Sequence, residues 1–196
     1  MLKRCFLIVL FAVLASSLVA SVDVEEALEL EPTMDQRRAT SIATRFLTNH
    51  HYKPTRLDDN LSGEIFDVYL ELLDPNKIYF LQSDIENFEP YRRMMDDTLR
   101  HQDLSAAYDV FNVYTDRVLD RVAYSRQRAK QPFDFTIDEY YQYDREDEPW
   151  AASREELDEL WRKRVKNDYL RLKLTDKEPE KIVETLLERY DNLERR

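Results

Sequence analysis

The sequence predicts an all-α protein, an irregular domain of about six helices behind a cleaved leader. Three observations carry that expectation. Gly63 is the only glycine in 196 residues. The backbone therefore has little access to conformations that other residues avoid, and phosphate-cradling loops, dinucleotide fingerprints and nucleophile elbows cannot be written. Apolar residues return at three-to-four spacing through most of the chain, in segments closed by proline. And although 35% of residues are charged, 12 Tyr, 9 Phe and 2 Trp argue for a packed core over disorder.

Residues 1–21 read as a secretory signal peptide. Lys3 and Arg4 precede an unbroken apolar run from Phe6 to Ala15, then the small residues Ser16, Ser17, Ala20 and Ser21, with an acidic stretch from Asp23. Ala20 or Ser21 is the expected last residue removed. An uncleaved anchor is the alternative, but Cys5 to Ala20 falls short of the ~20 residues a span needs. The single cysteine, Cys5, leaves with the leader, so the mature chain has no disulfide, thiolate metal site or cysteine nucleophile. A periplasmic product without stable membrane insertion is the expectation.

Residues 22–33 are expected to form a flexible acidic arm, and residues 34–196 one helical domain. In the first helix, from Met34, Ile42, Phe46 and Leu47 share a face until Pro54. Ile65, Phe66, Tyr69, Leu70, Leu72 and Leu73 stripe the second, stopped at Asp74-Pro75. Ser83 and Glu86 have capping-box spacing ahead of a less regular third helix carrying Ile85, Phe88, Met94, Met95 and Leu99, with Pro90 in its first turns. Asp103 or Ser105 caps the longest pattern, which runs to about Gln131. Its expected inner face is Leu104, Ala107, Tyr108, Phe111, Val118 and Val122, with Tyr114 or Thr115 between. Phe133 to Trp150 has no clean period. Ser153 with Glu156 opens the fifth helix, and Ile182, Leu186 and Tyr190 lie on the last, which reaches the final residue without a stop signal. That ending suggests a truncated fold in which those three side chains are exposed.

With 29 Lys and Arg against 40 Asp and Glu, the chain carries a net charge of −11, which repels nucleic acid and anionic surfaces. Neighbouring His50 and His51 point about 100° apart on a helix and cannot easily share an ion. Asp144, Glu146, Asp147 and Glu148 lack EF-hand spacing and its glycine, and read as a solvated loop able to pair with arginines of the long helix. No serine stands in G-x-S-x-G or S-x-x-K. No catalytic, cofactor-binding or metal-ligating residue is therefore expected. The densest aromatic patch, Phe133, Phe135, Tyr140, Tyr141, Tyr143 and Trp150, either closes one end of the core or forms a partner-docking surface.

That segment carries a family resemblance. Phe133-Asp134-Phe135-Thr136, Asp144-Arg145, Pro149-Trp150 and Glu156-Leu157-Asp158-Glu159-Leu160-Trp161 occur in the same order in the tail-specific proteases of Gram-negative bacteria. So do Arg45-Phe46, His51-Tyr52, Ile65-Phe66-Asp67-x-Tyr69-Leu70, Leu73-Asp74, Ser83-Asp84 and Leu172-Lys173-Leu174. Each is weak alone; in register from about residue 40 to Arg196 they are specific. The chain resembles the helical N-terminal region of these periplasmic serine endopeptidases, also called C-terminal processing peptidases. The resemblance implies a PDZ domain and a serine–lysine dyad that this chain does not contain, so no catalytic residue carries over. It implies a helical part that braces the PDZ and protease domains and docks protein substrates or adaptors. His101-Gln102-Asp103 and Thr175-Asp176-Lys177 stand where relatives often have a glycine turn. A stand-alone periplasmic helical scaffold is the alternative.

Overall fold

The long pattern after Asp103 becomes the axis on which the other helices are hung. A computed structural model describes residues 29–50 and 56–195. The leader, most of the acidic arm, His51 and Pro54 lie outside the described residues. Seven α-helices are present among the described residues: α1 (Met34–His50), α2 (Asp59–Leu73), α3 (Gln82–Phe88), α4 (Met95–His101), α5 (Ser105–Ala129), α6 (Arg154–Lys173) and α7 (Pro179–Glu194). A 3-10 segment, Glu89–Arg93, joins α3 to α4. The fold is all-α; the one extended contact among the described residues is an isolated bridge between Leu81 and Ala151.

The third predicted helix is thus three short pieces. Pro90 lacks an N–H and clashes with a continuing helix, so the chain tightens into the 3-10 segment before restarting. The restart is capped from a distance. The fully buried Ser62 hydroxyl on α2 accepts the Met95 amide at 2.8 Å and donates to the Arg92 carbonyl at 2.8 Å. The Ser83–Glu86 box does not form; Asp84 instead accepts the Leu81 amide at 2.8 Å. At Ser153 only the N-cap half of the expected box forms, and Glu156 reaches one residue further back than a box requires. The Ser153 hydroxyl accepts the Glu156 amide at 3.2 Å, and the Glu156 carboxylate accepts the Ala152 amide at 2.8 Å. At α5, Asp103 accepts the Ser105 amide at 3.0 Å.

About 37 Å long at 1.5 Å per residue, α5 spans two core regions. Its first half packs Val110 against Phe66, Leu70, Phe80, Phe88 and Met95. Its second half sets Val122 and Ala129 against Val165 and Leu172 of α6 and Ile182, Leu186 and Tyr190 of α7. Ile78, Tyr79, Leu157 and Trp161 bridge the two. The inner stripe of α5 begins at Ala106 and Val110, one position from the expected Ala107 and Phe111; Phe111 is exposed. The expected exposure of Ile182, Leu186 and Tyr190 is overturned, since α5 and α6 bury all three.

Arginines of α5 tie it to its neighbours by ion pairs. Arg121 is wholly buried, bonded to Asp158 of α6 and, at 2.6 Å, to Asp120. Arg117 grips both oxygens of Asp84, at 2.7 and 2.8 Å. Arg126 binds Asp191 at 2.5 Å and also Glu194, tying α7 to α5. In the arm, Leu30 exchanges two bonds with the Asn112 side chain, at 3.0 and 3.1 Å.

Candidate functional site

Between α5 and α6 the chain has no helix, yet it is held along its length. Pro132 closes α5, and the Arg128 guanidinium covers the next ring, Phe133, 3.9 Å from its centroid. Phe133 and Phe135 both stack on Tyr169 of α6, at 5.4 and 5.9 Å. Asp134 folds back to accept the Thr136 amide at 2.8 Å, an Asx turn that sends the chain along α6. Glu139 then binds Arg162 and Lys166, which lie one turn apart on that helix. The Arg162 bond, reinforced by Lys166, holds the Glu139 carboxyl far below its ordinary 4.5, at about 2. Asn167 and Arg171 hold the Tyr143 hydroxyl, and Gln142 bonds Glu148 at 3.0 Å.

The six aromatics fall into three groups. Phe133 and Phe135 belong to the Tyr169 stack, and Phe133 packs on the second core region. Trp150 packs on the first core region beneath the Lys77 ammonium, 4.9 Å away. Tyr141 meets Tyr143 edge-to-face at 4.8 Å, while Tyr140 is 83% exposed. The segment therefore closes the core at both ends and offers Ile137, Tyr140 and Tyr143 to solvent in the middle. Beside them lies a cleft of about 270 Å³ lined by Phe135, Ile137, Tyr140, Lys163, Lys166 and Leu170. The cleft sets aromatic and aliphatic side chains beside Lys163 and Lys166, with Asp138 and Glu139 also on its wall.

Sequence reasoning found these aromatics but not their holders. Arg162 and Lys166 stand at i and i+4, spacing that suits a shared acid, but nothing local names Glu139 as that acid. The acidic run pairs differently from expectation. Among the described residues, no ion pair joins Asp144, Glu146, Asp147 or Glu148 to α5, whose arginines take acids elsewhere. Ser62 and Ser125 are buried, and Ser153 is a cap. His101 bonds the Asp97 carbonyl at 2.7 Å on the surface. Among the described residues, no three His, Cys, Asp or Glu side chains are grouped to hold a metal ion. No described helix is long and apolar enough to cross a membrane.

Residues 43–196 match the family model of the tail specific protease N-terminal domain. The chain is also 37% identical over 158 residues to a tail-specific protease of Haemophilus influenzae. That match covers 80% of this chain and 23% of the relative, so the chain spans less than a quarter of the curated protein it resembles.

Proposed function

The chain belongs to the tail-specific protease N-terminal domain family, and on that premise we propose that it is the non-catalytic helical part of a periplasmic serine protease. In this role it braces the PDZ and protease domains and docks protein substrates or adaptors. The serine–lysine dyad of such an enzyme belongs to the other domains; this part supplies a rigid surface. The apolar leader at residues 1–21 supports export to the periplasm, with cleavage by signal peptidase.

The observation that carries the docking reading is the pinned middle of the irregular segment. Its neighbours fix Glu139 and Tyr143, yet Ile137 and Tyr140 between and beside them remain in water. A surface ordered before binding loses less entropy when a flexible chain lands on it. The test is titration of an unfolded protein into the purified chain, followed by calorimetry. Ile137→Ala with Tyr140→Ala should weaken binding about tenfold or more, the scale set by losing anchors worth over ~1 kcal/mol each. Both side chains are exposed, so helicity by circular dichroism should not change. Equal affinity for the variant and the parent would remove the docking role.

A further inference from the structure

The first helix is packed with its polar side inward. Arg37, Thr40, Ser41 and Thr44 of α1 turn toward the body, where Arg37 donates to the Gln102 carbonyl at 3.2 Å and lies 3.9 Å from Asp103. No residue of α1 is buried. Its apolar residues face water: Ile42 is 64% exposed, Phe46 63% and Leu47 56%. Ala39, Ile42, Ala43 and Phe46 stand at i, i+3, i+4 and i+7, the spacing by which a helix anchors in a groove.

The same chain carries a groove of that kind. Between α2, α4 and the start of α5 runs a depression of about 430 Å³, lined by Ile65, Val68, Leu72, Leu99 and Leu104 among others. Leu72 is 76% exposed there. Glu64 and Asp103 stand at the groove, and Glu71 is exposed on the same helix, α2. The α1 face has the opposite charge. Arg38 and Arg45, both exposed, flank Ile42 one turn to either side, and Asp35 is the single acid of the helix.

We propose that α1 of one copy lies in the α2–α4–α5 groove of a second copy, and reciprocally, so that the chain forms a two-fold dimer. One sequence supplies both the basic apolar helix and the acidic apolar groove, so a single symmetric pairing covers both surfaces at once. The helix does not fill its own groove, because Arg37 fastens its polar side to the Gln102–Asp103 corner while the apolar side points away. This pairing is independent of the Ile137–Tyr140 surface.

Sedimentation velocity of the purified chain over a range of concentrations tests it. A reversible monomer–dimer equilibrium is expected, weakened more than tenfold by Phe46→Asp or by Leu72→Asp, with helicity intact because both sites are exposed. In a Cys5→Ser background, mixing Phe46→Cys chains with Leu72→Cys chains should give a disulfide-linked pair on mild oxidation. A monomer at every concentration overturns the proposal, as does a dimer indifferent to both charge substitutions. A Phe46→Cys, Leu72→Cys double variant that closes only within one chain also overturns it, by making the groove an internal seat for α1.

Discussion

Replacing Asp74 with asparagine should destabilise the fold by about 3 kcal/mol, although the two side chains have nearly the same shape. Asp74 ends α2 and is almost completely buried. One carboxylate oxygen accepts the Ile78 amide at 2.8 Å; the other accepts the Tyr79 and Phe80 amides, each at 3.0 Å. These three bonds fold residues 74–80 into the loop that links the core regions. Tyr79 and Phe80 pack on Tyr114, and the Ile78 carbonyl receives the Trp161 indole N–H at 2.6 Å. An asparagine would turn its oxygen to Tyr79 and Phe80 and bring its NH₂ against the Ile78 N–H. One buried donor then loses its acceptor, at ~1–3 kcal/mol, and the two remaining bonds lose their charge assistance. Urea unfolding read by tryptophan fluorescence gives the number directly, and a fall of roughly 6–12 °C in melting temperature should accompany it. A loss below ~1 kcal/mol would refute the claim that this carboxylate organises the loop.

Other outcomes follow from particular contacts. Gly63→Ala should raise stability by ~0.5–1 kcal/mol in thermal melts, since a Cβ there meets only the Arg92 Cγ at 3.8 Å in ordinary contact. A loss would mean the helix needs glycine at that point. Asp158→Ala should cost on the order of 3 kcal/mol by leaving Arg121 buried with Asp120 alone, and adding Arg121→Met should recover most of it in denaturant titrations. A double variant as weak as Asp158→Ala would contradict this. Glu139 titrates at about 2 in the fold against its ordinary 4.5, so its contribution is complete above 4.5 and is lost as pH falls toward 2. Parent and Glu139→Gln should therefore differ in stability at neutral pH and converge in acid; a constant gap would deny the Arg162–Lys166 clamp.

Helix positions were legible because local periodicity makes them. The stripe of α7, that of α2 apart from the exposed Leu72, and the Ser153 cap depend on residues within a few turns of one another. Partners were not legible, because they depend on residues brought together only by the fold. Ser62 caps a helix that begins 33 residues later, and Glu139 finds its cations on α6. In the first half of α5 the register slipped by one position, because Phe111 and Tyr108 form a second apolar stripe beside Ala106 and Val110, whereas Val118 and Val122 face the core as expected. The first helix shows the same boundary from the other side. Its Ile42, Phe46 and Leu47 share a face as the spacing predicts, but spacing does not say whether a face is covered by its own chain. The left-handed turns were partly visible. Gln102 and Asp176, at φ 60° and 56°, stand in the two segments that the family resemblance marked as glycine turns in relatives, while Lys77, at 51°, had no local signal.

The measurement that bears most directly on the proposed role is domain replacement. The region of the Haemophilus influenzae tail-specific protease that matches this chain would be exchanged for residues 43–196, and cleavage of an unfolded protein followed. A functional N-terminal domain predicts a chimera that folds and retains proteolysis, with Ile137→Ala and Tyr140→Ala raising KM while leaving kcat near that of the unsubstituted chimera. A chimera that folds and binds substrate but does not cleave, or one indifferent to both substitutions, would contradict the account.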